Sequence, residues 1–147
     1  MRLEAGDRIG ENCRVGRIIS QMSRIGFRVI FASVWLVNGL FCKVLDWVPR
    51  HRAIVSRILG SEHALGWTRA IGFGEIVFAV WIFSGIRWRL SAIAQVVLVG
   101  VMNLIEFFLA PDLLLFGKFN SLVALAYMSL VGWAGMTTHK GMVSPSR

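Results

Sequence analysis

Four stretches of about twenty residues, each nearly free of charge, dominate this chain, and about that length of helix is needed to cross the hydrocarbon core of a bilayer. They run roughly over residues 25–45, 68–86, 90–110 and 113–136. Between the second and third lies only Arg87-Trp88-Arg89, so these two helices are expected to be antiparallel neighbours joined by a tight turn. Charged residues crowd instead into 1–28, 43–69 and 87–89 and the two ends of the last stretch. This blockwise separation of charge from apolar sequence is the pattern of a membrane-spanning chain. Composition agrees: 56% of residues are hydrophobic, above the roughly 45–50% of a soluble domain. The expected fold is all-α, an integral membrane four-helix up-and-down bundle formed by one domain.

The segments around the spans carry their own patterns. After Pro49, the apolar positions Ile54, Val55, Ile58 and Leu59 recur at helical spacing with Arg50, Arg52 and Arg57 between them. Pro49 suits a first helical turn and Gly60 a C-cap, so a short amphipathic helix is expected at the interface between spans one and two. Residues 1–24 read as a basic tail and 137–147 as a second tail. A cleaved signal peptide fits poorly, because bulky residues (Asn38-Gly39-Leu40-Phe41-Cys42) stand where a peptidase needs small ones.

The net charge of +8 belongs to basic segments flanking the spans, without interleaved stacking aromatics, so nucleic acid is not expected as a partner and the lipid bilayer is. One side of the alternating topology holds ten Lys and Arg residues and the other six, which places both termini in the cytoplasm of a multi-pass cell-membrane protein. Trp47, Trp67 and Trp88 are expected as interface anchors, with Trp35 and Trp81 packed deeper. Cys13 and Cys42 fall on opposite sides of the bilayer, which excludes a bond between them in one chain, and no metal-ligand spacing occurs. His51 has no evident histidine partner, so it reads as a surface histidine rather than a metal or haem ligand.

Polar residues inside the spans are the informative exceptions, because the bilayer makes them costly. Asn38 lies in span one, Glu75 in span two, Asn103 and Glu106 in span three, and Asn120 at the start of span four. In an alternating bundle all of them fall at a similar depth. Gln95, Val99, Met102 and Glu106 share a helical face, as do Gly72, Glu75, Ala79 and Ile82, and also Asn120, Ala124, Tyr127 and Val131. A polar pocket inside the bundle follows, opening toward the connection that carries Lys43, His51 and Arg52. Such groups either bond neighbouring helices together or serve a ligand or proton, and for Glu106, near the span end, interfacial solvation is a third reading.

The run Ser33-Val34-Trp35-Leu36-Val37-Asn38-Gly39-Leu40-Phe41, followed by Lys43-Val44-Leu45, resembles the opening of the DoxX-like membrane proteins. Pro49-Arg50-His51, Ile71-Gly72-Phe73-Gly74-Glu75, Met102-Asn103 and Leu114-Leu115-Phe116-Gly117 with Asn120 continue the likeness over about residues 25–125. The resemblance implies a four-helix membrane bundle and carries over Asn38, Lys43, His51, Glu75, Asn103 and Asn120 as patterned positions. Proteins of that type include a subunit of a thiosulfate:quinone oxidoreductase. Relatives that handle thiols would want paired cysteines, which this chain lacks.

Three functions remain open from the sequence. One is an accessory subunit that binds a lipid-soluble redox partner such as a quinone. Another is a proton- or solute-conducting unit, which four short helices can form only by self-association. The third is an assembly partner for another membrane subunit. With no complete catalytic set, the chain reads as a subunit rather than an enzyme on its own.

Overall fold

The computed structural model describes residues 2–114 and 117–137, and among these every regular element is helical. The elements are α1 (Arg2–Val37), a π-helical continuation (Asn38–Val44), α2 (Pro49–Leu59), α3 (Ala64–Ser84), α4 (Trp88–Leu109) and α5 (Asn120–Thr137). The side chains of Cys13 and Lys118 and the tail beyond Thr137 lie outside the described residues.

The boundaries differ from the sequence reading in instructive ways. The first helix runs back from the expected span through the basic segment to Arg2. Pro49 occupies the first turn of α2 and Gly60, at φ 93°, its C-cap, as their residue types require. The fourth stretch is broken at its start: 3₁₀ turns at Pro111–Leu113 and Gly117–Phe119 precede α5, which is 18 residues long. Three segments, Gln21–Val44, α3 and α4, are long and apolar enough to cross a membrane, and α5 is a shorter apolar helix.

Two close helix pairs make the bundle. The first helix packs on α3 and α4 packs on α5, whereas α3 and α4 approach each other little despite the short turn that joins them. The helices on either side of the Arg87-Trp88-Arg89 turn are therefore not the close neighbours that so tight a turn suggests. Aromatic side chains fill the space between the pairs: Phe31 stacks on Trp88 with ring centroids 6.3 Å apart and meets Tyr127 edge-on, while Phe27 does the same with Trp133. Ile82, Val131 and Ala134 complete this core.

Trp88 is a correction. It is 8% exposed and lies in the core rather than at the interface. Arg87 adopts a left-handed conformation (φ 49°) at the start of α4, and its neighbour Trp88 donates from Nε1 to Ala134 O at 3.4 Å. Arg28 covers the same indole, its guanidinium 5.7 Å from the ring centroid. The guanidinium also occupies the space where a Cβ on Gly85 would stand, at the left-handed C-cap of α3. Trp47 and Trp67 are exposed, Trp35 is buried and Trp81 is half-buried.

The outward faces are apolar. Val77, Val80, Phe83, Phe108 and Leu122 are each more than 60% exposed. A soluble monomer rarely carries an apolar surface so extended, and a bilayer is the solvent that accepts it. Lipid is as apolar as these side chains, so close backbone packing rather than hydrophobic burial must hold the helices together.

That packing is tightest where Gly39 crosses Gly72. A Cβ on Gly72 would stand 2.7 Å from Gly39 O and 2.9 Å from Lys43 Cβ, and one on Gly39 would stand 2.7 Å from Gly72 O. Backbone cannot yield to such an overlap. Gly72→Ala should therefore lower the thermal midpoint in mild detergent by the equivalent of about 1–3 kcal/mol, the usual cost of overpacking. Gly74→Ala, on the open face of the same helix, should leave it nearly unchanged; equal midpoints for the two variants would refute the tight crossing.

Candidate functional site

The π-helical segment builds the site. On a regular helix, at about 100° per residue, Asn38 and Lys43 would point roughly 140° apart. Hydrogen bonding from i to i+5 widens the turn, so that residues five apart come to lie over one another. Leu45 N closes such a ring on Leu40 O at 2.9 Å. Asn38 and Lys43 thus face α3 together. Their partner is Glu75, one turn along from Gly72 on the buried face.

Lys43 Nζ forms an ion pair and hydrogen bond with Glu75 Oε1, and Asn38 Nδ2 donates to Glu75 Oε2 at 3.2 Å and to Oε1 at 3.3 Å. The Lys43 and Glu75 side chains are only 3% and 5% exposed. A charge buried this far is sustained only by a partner and further hydrogen bonds, and here both are present.

A second polar group lies between α4 and α5. Asn120 Nδ2 donates to Asn103 Oδ1 at 2.9 Å, and Asn103 Nδ2 in turn to Val99 O at 3.1 Å. Deeper, Trp35 Nε1 donates to Tyr127 Oη at 3.0 Å, and the Tyr127 hydroxyl donates to Gln95 Oε1 at 2.8 Å. Gln95 is fully buried, and its Nε2 has no hydrogen-bond partner.

Apart from the buried Gln95, these groups line one cavity of about 450 Å³. Asn38, Lys43, His51, Glu75, Asn103, Glu106 and Asn120 all line it, so these seven residues singled out from the sequence are brought to the same space. The shared faces agree with burial: Gly72, Glu75, Ala79 and Ile82 are all buried. Glu106 is half-buried at the cavity wall rather than simply solvated at a span end.

Some placements differ. Arg52 does not line the cavity; its Nη1 pairs with Asp46 Oδ2 at 2.7 Å, and Arg50 stands at the cavity instead. Nε and Nη1 of Arg50 are buried without a hydrogen-bond partner. His51 is half-buried beside the cavity rather than on the surface. Burial, and then the charges of Lys43 and Arg50, lower its pKa to about 4, so the ring is neutral near pH 7 and offers one donor and one acceptor nitrogen. Trp35 and Tyr127 complete the wall. The stripe through Asn120 and Val131 already contained Tyr127, the single tyrosine, whereas nothing in the sequence separates Arg50 from its basic neighbours. Among the described residues no cluster of metal-ligating side chains occurs.

A helical bundle with apolar faces outward and a polar cavity within defines an integral membrane protein. Residues 32–132 match the model of the DoxX-like family, and the chain belongs to that family. No curated protein and no solved structure matches it.

The Lys43–Glu75 pair can be tested by a double-mutant cycle. Lys43→Met and Glu75→Leu singly should each cost about 3–5 kcal/mol of stability, because each leaves one buried charge unpaired. The double variant should lose less than either single one in thermal unfolding. Additive losses would show that the two groups are not coupled.

Proposed function

We propose that this protein is an accessory, redox-associated subunit of a membrane complex, and that its internal cavity binds a quinone. The observation that carries this reading is the convergence of polar side chains from the π segment, α2, α3, α4 and α5 on one cavity whose remaining wall is apolar and aromatic. A quinone has the matching chemistry: a flat apolar ring and carbonyl oxygens that accept hydrogen bonds. The volume falls within the roughly 300–1,000 Å³ of small-molecule sites, and the donors are at hand. Asn38, Lys43 and His51 stand at the wall as groups able to hold carbonyl oxygens, and Val34, Val99 and Met102 as groups able to pack on the ring. When bound, a quinone supplies two-electron, two-proton redox chemistry. The chain's own residues orient the ring and keep bulk water away from it.

The matching test is to quantify quinone extracted from protein purified in mild detergent. Wild type should retain quinone. Glu75→Gln, which keeps the shape but releases Lys43 and Asn38 from their charged acceptor, should retain about tenfold less, the scale of losing a charged hydrogen bond. Wild-type protein that never holds a quinone overturns the reading.

The same reading includes four crossings of the cell membrane with both termini in the cytoplasm, supported by the excess of Lys and Arg on that side. In oriented vesicles a cysteine placed at Arg89 should react with an impermeant maleimide only from the cytoplasmic face, and one at Arg57 only from the opposite face. The reverse pattern would invert the topology.

A further inference from the structure

A second cavity, of about 240 Å³, lies beneath the amphipathic helix α2. It shares Lys43, His51, Met102 and Glu106 with the larger cavity, so side chains alone separate the two spaces. Apart from those four its lining is purely apolar: Ile54, Val55, Ile58 and Leu59 from α2, Ile71 from α3 and Ile105 from α4. An amphipathic helix that merely packed its apolar face on the bundle would leave no such space.

Burial changes along this cavity. Ile54 and Val55 are 5% and 8% exposed, whereas Ile105 and Leu59 are 40% and 55% exposed. One end therefore lies deep in the protein, and the other reaches the apolar outer surface. The partition toward the large cavity includes Met102, an unbranched thioether that adapts its shape readily. At its C-terminal end α2 is tied to the segment after α4 by Arg57 with Asp112, an exposed ion pair of the kind that contributes little.

We infer that the space beneath α2 is a chain channel: the site takes a quinone carrying a long hydrocarbon or isoprenoid tail, with the ring in the polar cavity and the tail running out under α2 to the lipid. This rests on the quinone reading of the larger cavity and adds the ligand's second half and its route from the bilayer. The tail gains no hydrogen bonds. The channel gives it the same apolar surroundings as lipid and fixes the direction from which the ring enters.

The test uses the full-length protein in lipid nanodiscs and a benzoquinone whose decyl chain ends in a diazirine. After illumination the label is mapped by peptide mass spectrometry. It is expected on residues 54–59, Ile71 or Ile105, and to be competed away by the unlabelled decyl quinone. Ile58→Trp, which fills the channel and leaves a chain no path from the ring to the lipid, should abolish the competed labelling and the binding of the decyl quinone and leave the tailless ring unaffected. Competed labelling confined to outer-face residues such as Val77 or Phe108, with the tailless ring still bound, overturns the channel and leaves the quinone site standing. Failure of both the ring and the decyl quinone to bind overturns both. The labelling of wild type stands even if Ile58→Trp does not fold.

Discussion

A lysine and a glutamate buried against each other inside an apolar bundle set the terms for the rest of this structure. Neither charge could remain there alone, because the low-dielectric surroundings penalise an unpaired ion by far more than a helix contact returns. Their pairing requires the first helix and α3 to approach closely at one fixed register. The Gly39–Gly72 crossing permits the approach, and the π-helical turn swings Lys43 round to where Asn38 already points. Asn38 then occupies acceptor capacity of the carboxylate that Lys43 leaves open.

The pair also divides the molecule. At one end of the bundle, Arg28, Trp88, Phe31 and Ala134 form a packed plug of aromatic and cationic side chains. At the other end α3 and α4 stand apart, and the gap between the two helix pairs becomes the polar cavity. The amphipathic helix α2 covers that end and contributes Arg50 and His51. Here burial and nearby cations keep His51 neutral, so the cavity mouth holds an imidazole that can both donate and accept.

Much of the candidate site was legible because a bilayer is so unforgiving of polar groups. Asn38, Glu75, Asn103 and Asn120 stand out in apolar sequence, and helical phase alone aligned Glu75 with Gly72 and Ala79. Arg50 was not legible, since one arginine among several in a basic connection carries no mark of which will turn inward. Trp88 was misleading for a related reason. Its position between two arginines is that of an interface anchor, and only the left-handed turn at Arg87 places it in the core.

The amino-acid sequence by itself determined the class of protein, the number of apolar segments and the amphipathic helix after Pro49, because transfer to lipid and helical periodicity are local properties of the chain. Which helices pair closely was decided only in the tertiary structure. A short turn joins α3 to α4, yet the closest backbone approach of α3 is made with the π-helical continuation of α1, because two glycines and a buried ion pair act across a long separation in sequence. The cavity beneath α2 is likewise tertiary. An empty space has no residue of its own, and it exists only where the side chains of α2, α3, α4 and the π segment fail to meet.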